Sequence, residues 1–282
     1  MLLEFDATSR VAGKGGQELH YHEAGDGAPL LLLHGSGPGV SGWSNFRGNL
    51  PVFAERFRTL VPDLPGFGRS PRPELDRAYP LVAADAVCRL LDAAGIERAH
   101  VLGNSMGGYT ALELALAYPE RVDRLVLMGP GGLAANVAAP EPSEGARRLT
   151  DFMRAPSREA MVAWVDTMVA NKDVVDDELI DERMANATAP GAIESAIHIF
   201  LSLAQHPQPV PLYARLDQIA HPTLVTWGRD DRMVPFDGAL FGFRRLPHAE
   251  LHVFSQCGHW AQVERKAEFE RVVTEFLSRP PS

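Results

Sequence analysis

The sequence predicts an α/β fold: a mostly parallel, doubly wound sheet that is interrupted by an all-helical insertion. Three observations predict this fold. Strand-like and helix-like segments alternate from residue 17 to about residue 133, residues 135–212 contain no convincing strand, and strand character returns at Thr223. Such alternation is typical of a parallel sheet with helices on both faces. The predicted domains are therefore a core of residues 1–134 and 213–282 and a helical lid of residues 135–212.

The strands of the first half are recognised from their apolar patterns. Residues 18–22 alternate as an edge strand would, whereas residues 30–33 are consecutive leucines. A continuous apolar run is expected of a strand that is buried on both faces of a parallel sheet. The other elements predicted in this half are strands at 58–62, 101–102 and 125–128 and helices at 43–54, 80–94 and 105–119.

The second half begins with helical periodicity. Apolar residues recur at helical spacing at Met161, Trp164, Val165, Met168 and Val169. Further helices are predicted at 177–187 and 192–204, strands at 223–227 and 250–254, and a terminal helix around 269–277. Ligands of open α/β sheets bind at the carboxyl ends of the strands. An insertion that leaves the sheet at such an end would cover the ligand, so we expect it to act as a lid.

Composition excludes several classes of protein. The chain has 282 residues, is 45% apolar and carries a formal net charge of −9. An acidic chain of this kind has no general affinity for nucleic acid or anionic membranes. Two cysteines do not make a disulfide scaffold, and no apolar run approaches the ~20 residues that span a bilayer. The N-terminus lacks the layout of a signal peptide. We therefore expect a cytoplasmic globular protein with neither nucleic-acid nor membrane partners.

The most informative stretch is residues 102–108, Leu-Gly-Asn-Ser-Met-Gly-Gly. It follows a strand-like segment and precedes a strong helix former, so Ser105 is predicted to lie at a sharp turn between strand and helix. The flanking glycines fit a turn that tolerates no side chain beside the serine. The helix N-terminus offers backbone N–H groups to a developing oxyanion. Ser105 is therefore a candidate nucleophile.

A serine nucleophile needs a base, and the base needs a third group that orients it. Both follow along the chain, each after a predicted strand: Asp231 within residues 228–235 and His259 within residues 257–260. The spacing Gly-x-x-Asp-x-x-x-Pro favours Asp231 as the acid, and Asp230 is the alternative. The order Ser, Asp, His is typical of the α/β-hydrolase fold. Most other histidines lie within predicted strands or lack a supporting motif.

The motifs fit a cofactor site or a metal site less well than they fit a set of Ser, Asp and His catalytic residues. The loop at residues 34–39, His-Gly-Ser-Gly-Pro-Gly, lacks the glycine spacing of a dinucleotide loop, and its proline has no N–H to donate. It can instead point a backbone N–H at an oxyanion, together with the N–H of Met106. Acidic residues at 173–182 are explained by solvated helix starts, and Cys257 by packing. We predict no cofactor and no metal.

Motifs along most of the chain resemble those of one family. They are His34-Gly-Ser-Gly-Pro-Gly39, Trp43-Ser-Asn-Phe46, Gly103-Asn-Ser-Met-Gly-Gly108, Leu127-Met-Gly-Pro-Gly-Gly-Leu133, Pro142-Ser-Glu-Gly145, Gly228-Arg-Asp-Asp-Arg232, Leu251-His-Val-Phe254 and Cys257-Gly-His-Trp-Ala-Gln262. From about residue 20 to residue 278 the chain resembles the meta-cleavage product hydrolases of the α/β-hydrolase superfamily. Enzymes of this family cut a carbon–carbon bond in ring-fission products of aromatic or steroid catabolism.

The resemblance implies roles for individual residues. Ser105, Asp231 and His259 match the catalytic triad of the family, and the backbone N–H groups of Ser36 and Met106 match its oxyanion hole. The residues that match substrate-binding positions are Asn45, Asn104, Met168, Arg183 and Trp260. Family substrates carry a 2-oxido or 2-oxo carboxylate, which an arginine guanidinium can bind in a bidentate manner.

The resemblance thus implies hydrolysis of a 2-hydroxy-6-oxohexa-2,4-dienoate-type compound to a 2-hydroxypenta-2,4-dienoate-type product and a carboxylic acid. The predicted lid departs from the family pattern, because Ala170-Asn171 stands in place of an aromatic residue followed by aspartate, and Met168 in place of phenylalanine. The variable arm of the substrate (alkyl, aryl or steroid) therefore stays open. So does the choice between an acyl-enzyme on Ser105 and an activated water.

Two other functions are compatible with parts of the sequence. A carboxylesterase or lactonase could use the same triad, but it would not need Asn104, Arg183 or Trp260. A non-catalytic ligand-binding protein on a hydrolase fold would not need all three catalytic groups. The partner we expect is a small-molecule dienoate. We also expect a homo-oligomer, a dimer or higher, since symmetric dimers are the commonest assembly of soluble proteins.

Overall fold

The structure, a computed structural model, describes residues 3–133 and 141–280. Its sheet consists of β1 (Ser9–Ala12), β2 (Leu19–Ala24), β3 (Ala28–Leu33), β4 (Phe57–Pro62), β5 (Ala99–Asn104), β6 (Val122–Met128), β7 (Thr223–Gly228) and β8 (Ala249–Phe254). The order across the sheet is β1-β2-β4-β3-β5-β6-β7-β8. The pairs β1–β2 and β2–β4 are antiparallel, and all other neighbours are parallel. The predicted α/β fold with a mostly parallel sheet is confirmed.

Helices surround this sheet. The α-helices are α1 (Phe5–Thr8), α2 (Gly42–Phe46), α3 (Leu50–Ala54), α4 (Tyr79–Ala93), α5 (Met106–Ala117), α6 (Glu144–Arg154), α7 (Arg158–Val165), α8 (Asp177–Ala187), α9 (Ala192–Gln205), α10 (Asp237–Arg245), α11 (Ala261–Glu264) and α12 (Lys266–Leu277). Short 3₁₀ turns lie at Pro119–Arg121, Lys172–Val174, Leu212–Ala214 and Leu216–Gln218.

The four leucines of β3 show how the sheet is buried on both faces. Successive side chains of a strand point to opposite faces. Leu31 and Leu33 accordingly pack in the cluster that contains residues of α4 and α5, whereas Leu30 and Leu32 pack in the cluster that contains residues of α3 and α12. All four are fully buried. The central strands are therefore held between two helical layers, with their carboxyl ends at one edge.

Two predictions for the first half are wrong. β2 is not an edge strand, because β1 pairs beside it. The four residues of β1 are mostly exposed and too few to show a strand period. The helix predicted over 43–54 is two helices, α2 and α3. Pro51 lies in the first turn of α3, where its missing N–H and fixed φ suit a helix start and interrupt a continuous helix.

Two buried histidines of β2 bind the N-terminal segment. His22 Nδ1 lies 2.9 Å from Thr8 Oγ1, and His20 Nε2 lies 2.8 Å from Ser9 Oγ. On its other side, His20 Nδ1 lies 2.8 Å from Asp63 Oδ2. The two nitrogens of an imidazole ring can each take part in one hydrogen bond. This arrangement ties β1 and the segment before it to the core of the sheet.

Acid is expected to weaken this attachment. Burial, with a smaller contribution from His20, lowers the pKa of His22 from 6.5 to about 4. The unfolded chain therefore binds this proton at a higher pH than the folded chain does. Stability from His22 is complete above pH 6.5 and is lost as the pH falls towards 4, by about 3 kcal/mol at most. Urea unfolding at pH 7 and pH 4.5 measures the loss. His22→Gln should lose less stability over this range, and an equal loss in both proteins would contradict the prediction.

Four helices, α6 to α9, lie between β6 and β7, and residues 141–222 contain no strand. We call residues 144–205 the helical segment. Most of its buried apolar residues form a separate cluster, which also includes Trp260 of the core, whereas Ile199 of α9 packs in the cluster that contains residues of α4 and α5. α7 ends at Val165, so Met168 and Val169 belong to the cluster but not to the helix. The predicted domain boundary near residue 135 lies outside the described residues.

In the described part of the chain, no single helix is long and apolar enough to cross a membrane. α8 and α9 together meet the criterion by length and composition alone, and the chain bends by 76° between them.

Candidate active site

Ser105 lies at the sharp turn between β5 and α5. Its φ of 53° is positive, which is uncommon for a residue with a side chain. Neighbouring glycines permit the turn: a Cβ on Gly103 would lie 2.4 Å from the carbonyl oxygen of Gly107, and a Cβ on Gly107 would lie 2.2 Å from that of Leu33. The strand, turn and helix are those of a nucleophile elbow, which presents the serine hydroxyl at a helix N-terminus.

Asp231 and His259 form a buried pair at the ends of neighbouring strands. Asp231 follows β7, His259 follows β8, and Asp231 Oδ2 lies 2.7 Å from His259 Nδ1. The other carboxylate oxygen accepts hydrogen bonds from the N–H groups of Met233 and Val234, both at 2.8 Å. An ionised carboxylate only accepts, so Nδ1 carries the hydrogen and Nε2 is free to act as a base. This is the orientation that a catalytic histidine requires.

The alternative groups lie in unsuitable surroundings. The side chain of Asp230 is 40% exposed and lies 3.2 Å from the guanidinium of Arg229. The structure therefore places Asp231, and not Asp230, against the histidine. Cys257 is fully buried, and burial raises the pKa of its thiol well above the usual range. A thiol that stays protonated is a poor nucleophile.

The loop at residues 34–39 approaches the serine from β3. His34 fixes its start, because His34 Nδ1 lies 2.6 Å from the carbonyl oxygen of Gly35 and Nε2 accepts a hydrogen bond from the N–H of Leu64 at 2.9 Å. Within the described residues, the backbone N–H groups of Ser36 and Met106 have no acceptor. Both N–H groups are therefore available to an oxyanion, as an oxyanion hole requires.

A small cavity of about 20 Å³ lies between the serine, the histidine and the helical segment. The predicted site residues that line it are Ser36, Asn45, Asn104, Ser105, Met168, Arg183, His259 and Trp260. Two predicted residues do not line it: Asp231 lies behind His259, and Met106 follows Ser105 with its side chain buried in the core.

Arg183 of α8 is the charged substrate-binding candidate. Its guanidinium carbon lies 4.3 Å from the ring centre of Trp260 and 5.9 Å from that of Trp164. It forms no hydrogen bond or ion pair with any residue that the structure describes. Burial lowers the pKa of the guanidinium to about 10, so it remains charged at neutral pH. A charged guanidinium held against aromatic rings without a carboxylate partner can bind an anionic ligand.

The two predicted asparagines differ in their remaining hydrogen-bonding capacity. Asn104 is buried, and its Nδ2 donates to the carbonyl oxygen of Met128 at 3.2 Å. Asn45 accepts a long hydrogen bond of 3.5 Å from the N–H of Gly35, whereas its buried Nδ2 has no acceptor among the described residues. Buried polar groups are rarely left unpaired. Asn45 can therefore donate to a ligand in the cavity.

Met168 contributes its backbone carbonyl group to the site as well as its side chain. Its carbonyl oxygen accepts hydrogen bonds from the N–H groups of His259 at 2.7 Å and Trp260 at 3.2 Å. A Cβ on Gly258 would lie 2.6 Å from this oxygen, so only glycine fits there. The helical segment is in this way attached directly to the loop that carries the histidine.

Glu264 strengthens the same attachment. One carboxylate oxygen accepts hydrogen bonds from the N–H groups of Ala170 at 2.7 Å and Asn171 at 2.8 Å, and the other accepts from Gly258 at 2.7 Å. Burial raises the pKa of this carboxyl, and the three hydrogen bonds act in the opposite direction. The sequence prediction missed Glu264, although an acid five residues after the histidine is visible in the sequence.

Four further cavity residues were not predicted as site residues: Gly35, Val40, Trp164 and Met233. The sequence places Trp164 in an apolar helical stripe, which indicates only a core position. Val40 and Met233 carry no local signal, because they reach the cavity through the packing of the helical segment against the sheet. A search of the described ranges finds no group of three or more His, Cys, Asp or Glu residues that could hold a metal ion.

The fold and the site together define an α/β-hydrolase, and the family model described as alpha/beta hydrolase fold matches residues 28–266. The chain is 43% identical over 266 residues to a 2-hydroxy-6-oxo-6-phenylhexa-2,4-dienoate hydrolase of Burkholderia cepacia, covering 92% of this chain and 91% of that protein. It belongs to the meta-cleavage product hydrolases.

Two more comparisons agree with this assignment. A 2-hydroxy-6-oxononadienedioate/2-hydroxy-6-oxononatrienedioate hydrolase of Comamonas testosteroni is 39% identical, with 92% of this chain and 91% of that protein covered. A solved structure of a mutant meta-cleavage product hydrolase from Pseudomonas fluorescens IP01 superposes with a TM-score of 0.81 at 34% identity, covering 94% of this chain and 97% of the other. The predicted family and the predicted enzyme class, a hydrolase of carbon–carbon bonds, are confirmed.

Proposed function

We propose that the cavity hydrolyses the C5–C6 bond of a 2-hydroxy-6-oxohexa-2,4-dienoate, with Ser105 as nucleophile, His259 as acid and base, and Asp231 orienting the histidine. The observation that carries this proposal is the charged guanidinium of Arg183, which has no partner among the described residues and lies in the same cavity as Ser105 and His259. An esterase needs the triad alone. A substrate with a carboxylate at one end and a carbonyl at the other accounts for both the guanidinium of Arg183 and the triad.

The first step prepares the C5–C6 bond for cleavage. The C5–C6 bond can break only if C5 leaves with a stabilised negative charge. Moving the proton of the 2-hydroxyl to C5 converts the dienol to its 2,6-diketone tautomer. The pair of electrons left by later cleavage can then be delocalised onto the 2-oxo group. Arg183 stabilises the negative charge at this end, and His259 Nε2 is the group in the cavity that can move the proton.

The second step is attack on the C6 carbonyl. His259 Nε2 takes the proton of Ser105 Oγ, and the oxygen adds to C6. The N–H groups of Ser36 and Met106 bind the resulting oxyanion, and removal of one such donor typically costs about 10²–10³ in rate. Cleavage then moves the bonding pair from C5 through the C3–C4 double bond to the 2-oxo oxygen, which takes the proton from His259 and becomes the 2-hydroxyl of the dienoate product. Water hydrolyses the acyl-enzyme with His259 as base, which releases the carboxylic acid and regenerates Ser105.

The helical segment acts as the lid of this site. Support comes from its position: Trp164, Met168 and Arg183 of this segment form one wall of the cavity. The hydrogen bonds from His259 and Trp260 to the carbonyl of Met168 join this wall to the catalytic loop. A closed wall excludes water and so strengthens the electrostatic interactions with substrate and oxyanion.

The variable arm is uncharged. The apolar lining of the cavity includes Val40, Trp164, Met168 and Met233, whose side chains carry no charge. A carboxylate on the arm would be buried there without a partner, at a large cost. An alkyl or aryl arm avoids that cost.

A panel of dienoates tests the function and the arm together. Wild-type protein is given the 6-methyl, 6-phenyl and 6-(2-carboxyethyl) compounds and a p-nitrophenyl ester, and loss of the visible absorbance of each dienoate is followed. We expect kcat/KM for an uncharged arm to exceed that for the carboxyethyl arm by at least about 10-fold. Hydrolysis of the ester alone would identify an esterase and refute the proposal.

Removing the charge of Arg183 should weaken binding more than chemistry. Arg183→Met is expected to raise KM for the preferred dienoate by about 10²-fold, since a bidentate bond to a carboxylate is lost. Steady-state kinetics measure KM and kcat separately. The control is Arg158→Met, which removes an exposed guanidinium of α7 that pairs with Asp177 and Asp181. Equal KM values for wild type and Arg183→Met would contradict the binding role.

The assembly and location remain predictions. We infer a homo-oligomer, with support from the exposed apolar side chains of Tyr213, Leu240 and Phe241 on one region of the surface. Analytical ultracentrifugation measures the mass of the assembly, and a monomer at micromolar concentration would refute this inference. A cytoplasmic location is consistent with the catabolic substrate that we propose.

A further inference from the structure

Trp164 carries a donor that the proposed mechanism does not use. It is fully buried in the cluster beneath the helical segment and lines the catalytic cavity. Its indole N–H is buried and has no acceptor among the residues that the structure describes. The ring stacks on Phe152 with centroids 5.9 Å apart. An apolar cluster has no need of a buried N–H, so packing explains the size of the ring but not its donor.

The surroundings of the ring indicate what the N–H meets. The guanidinium carbon of Arg183 lies 5.9 Å from the Trp164 ring centre. The Cη2–Cζ2 edge of the ring, on the side that carries the N–H, lies against Gly37, where an added Cβ would be 2.7 Å from Cη2. The ring therefore extends from Arg183 to the loop that contains Ser36. An anion paired with Arg183 lies beside this ring, and the anion is a strong acceptor.

From this geometry we propose that Trp164 is a further substrate-binding residue, whose indole N–H donates to an oxygen of the 2-oxo carboxylate end of the substrate. The inference rests on the proposed function, because it takes the carboxylate to be the partner of Arg183. Arg183 supplies the charge, and Asn45 Nδ2 is a second donor in the same cavity that has no acceptor in the described part of the chain. Trp164 completes a set of donors around one anionic group. Its N–H favours binding of a planar 2-oxo acid over binding of a ligand without acceptor oxygens.

The test observes the N–H directly in the wild-type protein. The chain has four tryptophans, so ¹⁵N labelling gives four indole signals. W164F identifies the signal of Trp164, and the single Phe variants of the other three assign it by elimination if W164F does not fold. The ligand is 2-oxopentanoate, a stable 2-oxo acid. The internal reference is Trp227, whose N–H already donates to the carbonyl of Val234 at 2.9 Å.

We expect saturation with 2-oxopentanoate to move the Trp164 indole proton downfield while the Trp227 signal stays in place. W164F should bind 2-oxopentanoate about 10-fold more weakly than wild type, as expected for the loss of a hydrogen bond to a charged group. Its affinity for methyl 2-oxopentanoate should change less than about twofold, because a neutral ester accepts more weakly.

An unmoved Trp164 signal, or equal affinity of W164F and wild type for 2-oxopentanoate, would overturn the inference. Absence of 2-oxopentanoate binding to wild type would also overturn it. These outcomes are separate from failure of the proposed function. If wild type cleaves a dienoate and the Trp164 signal does not move, only the role of Trp164 is wrong. If wild type cleaves no dienoate, the proposed function is wrong whatever the indole signals show.

Discussion

Ser105→Ala is expected to lower the rate of carbon–carbon cleavage by at least about 10³-fold. Alanine has no oxygen to add to the C6 carbonyl, whereas Arg183 and the two oxyanion N–H groups still bind the substrate. Stopped-flow absorbance separates the two steps: the tautomerisation phase should stay within about tenfold of the wild-type rate, and the cleavage phase should almost vanish. The two phases distinguish loss of the nucleophile from loss of binding.

The matched control is Ser255→Ala, which removes a hydroxyl from an exposed turn before the catalytic histidine. It should leave both phases unchanged within about twofold, as surface substitutions usually do. A substantial cleavage rate in Ser105→Ala would show that an activated water attacks C6, and the serine would then not be the nucleophile. Loss of both phases would mean that the serine is needed for binding or tautomerisation as well.

Asp231→Asn is expected to lower kcat by about 10⁴-fold. The carboxylate accepts the hydrogen of His259 Nδ1 at 2.7 Å, and an amide can donate to that nitrogen instead. The wrong tautomer then places the hydrogen on Nε2, where the base is needed. Loss of the negative charge also destabilises the imidazolium that forms during attack. Steady-state kinetics on the preferred dienoate measure the effect.

The chain offers a matched control one residue away. Asp230→Asn makes the same change, the loss of one charge and the replacement of one oxygen by an amide nitrogen, at a carboxylate that pairs with Arg229 at the surface. It should change kcat by less than about threefold, since exposed ion pairs contribute little. Similar losses in Asp230→Asn and Asp231→Asn would mean that general charge, and not orientation of His259, accounts for the effect.

The triad could be predicted because its signals are local. Ser105 directly follows β5, and Asp231 and His259 lie in the loops that follow β7 and β8. The carboxyl ends of neighbouring parallel strands meet at one edge of a sheet. The glycines on either side of Ser105 indicate the sharp turn, and the positive φ of Ser105 occurs at that turn. The structure then adds the 2.7 Å contact between Asp231 and His259, which separates Asp231 from Asp230.

Other features depend on contacts between distant parts of the chain. Glu264 binds N–H groups 93 and 94 residues earlier in the chain, so its spacing from the histidine says nothing about its partners. The sequence indicates only a core position for Trp164, because its apolar ring fits the helical pattern. The structure adds that its N–H has no acceptor in residues 3–133 and 141–280. β1 escapes prediction because a short exposed strand gains its hydrogen bonds from β2 and carries no apolar period of its own.

Product analysis tests the central claim most directly. Wild-type protein is incubated with the 6-methyl and the 6-phenyl 2-hydroxy-6-oxohexa-2,4-dienoates, and the products are identified by liquid chromatography and mass spectrometry. Cleavage of the C5–C6 bond predicts equal amounts of 2-hydroxypenta-2,4-dienoate and of acetate or benzoate from at least one of the two substrates. Recovery of both dienoates intact, from protein that hydrolyses a p-nitrophenyl ester, would contradict the account.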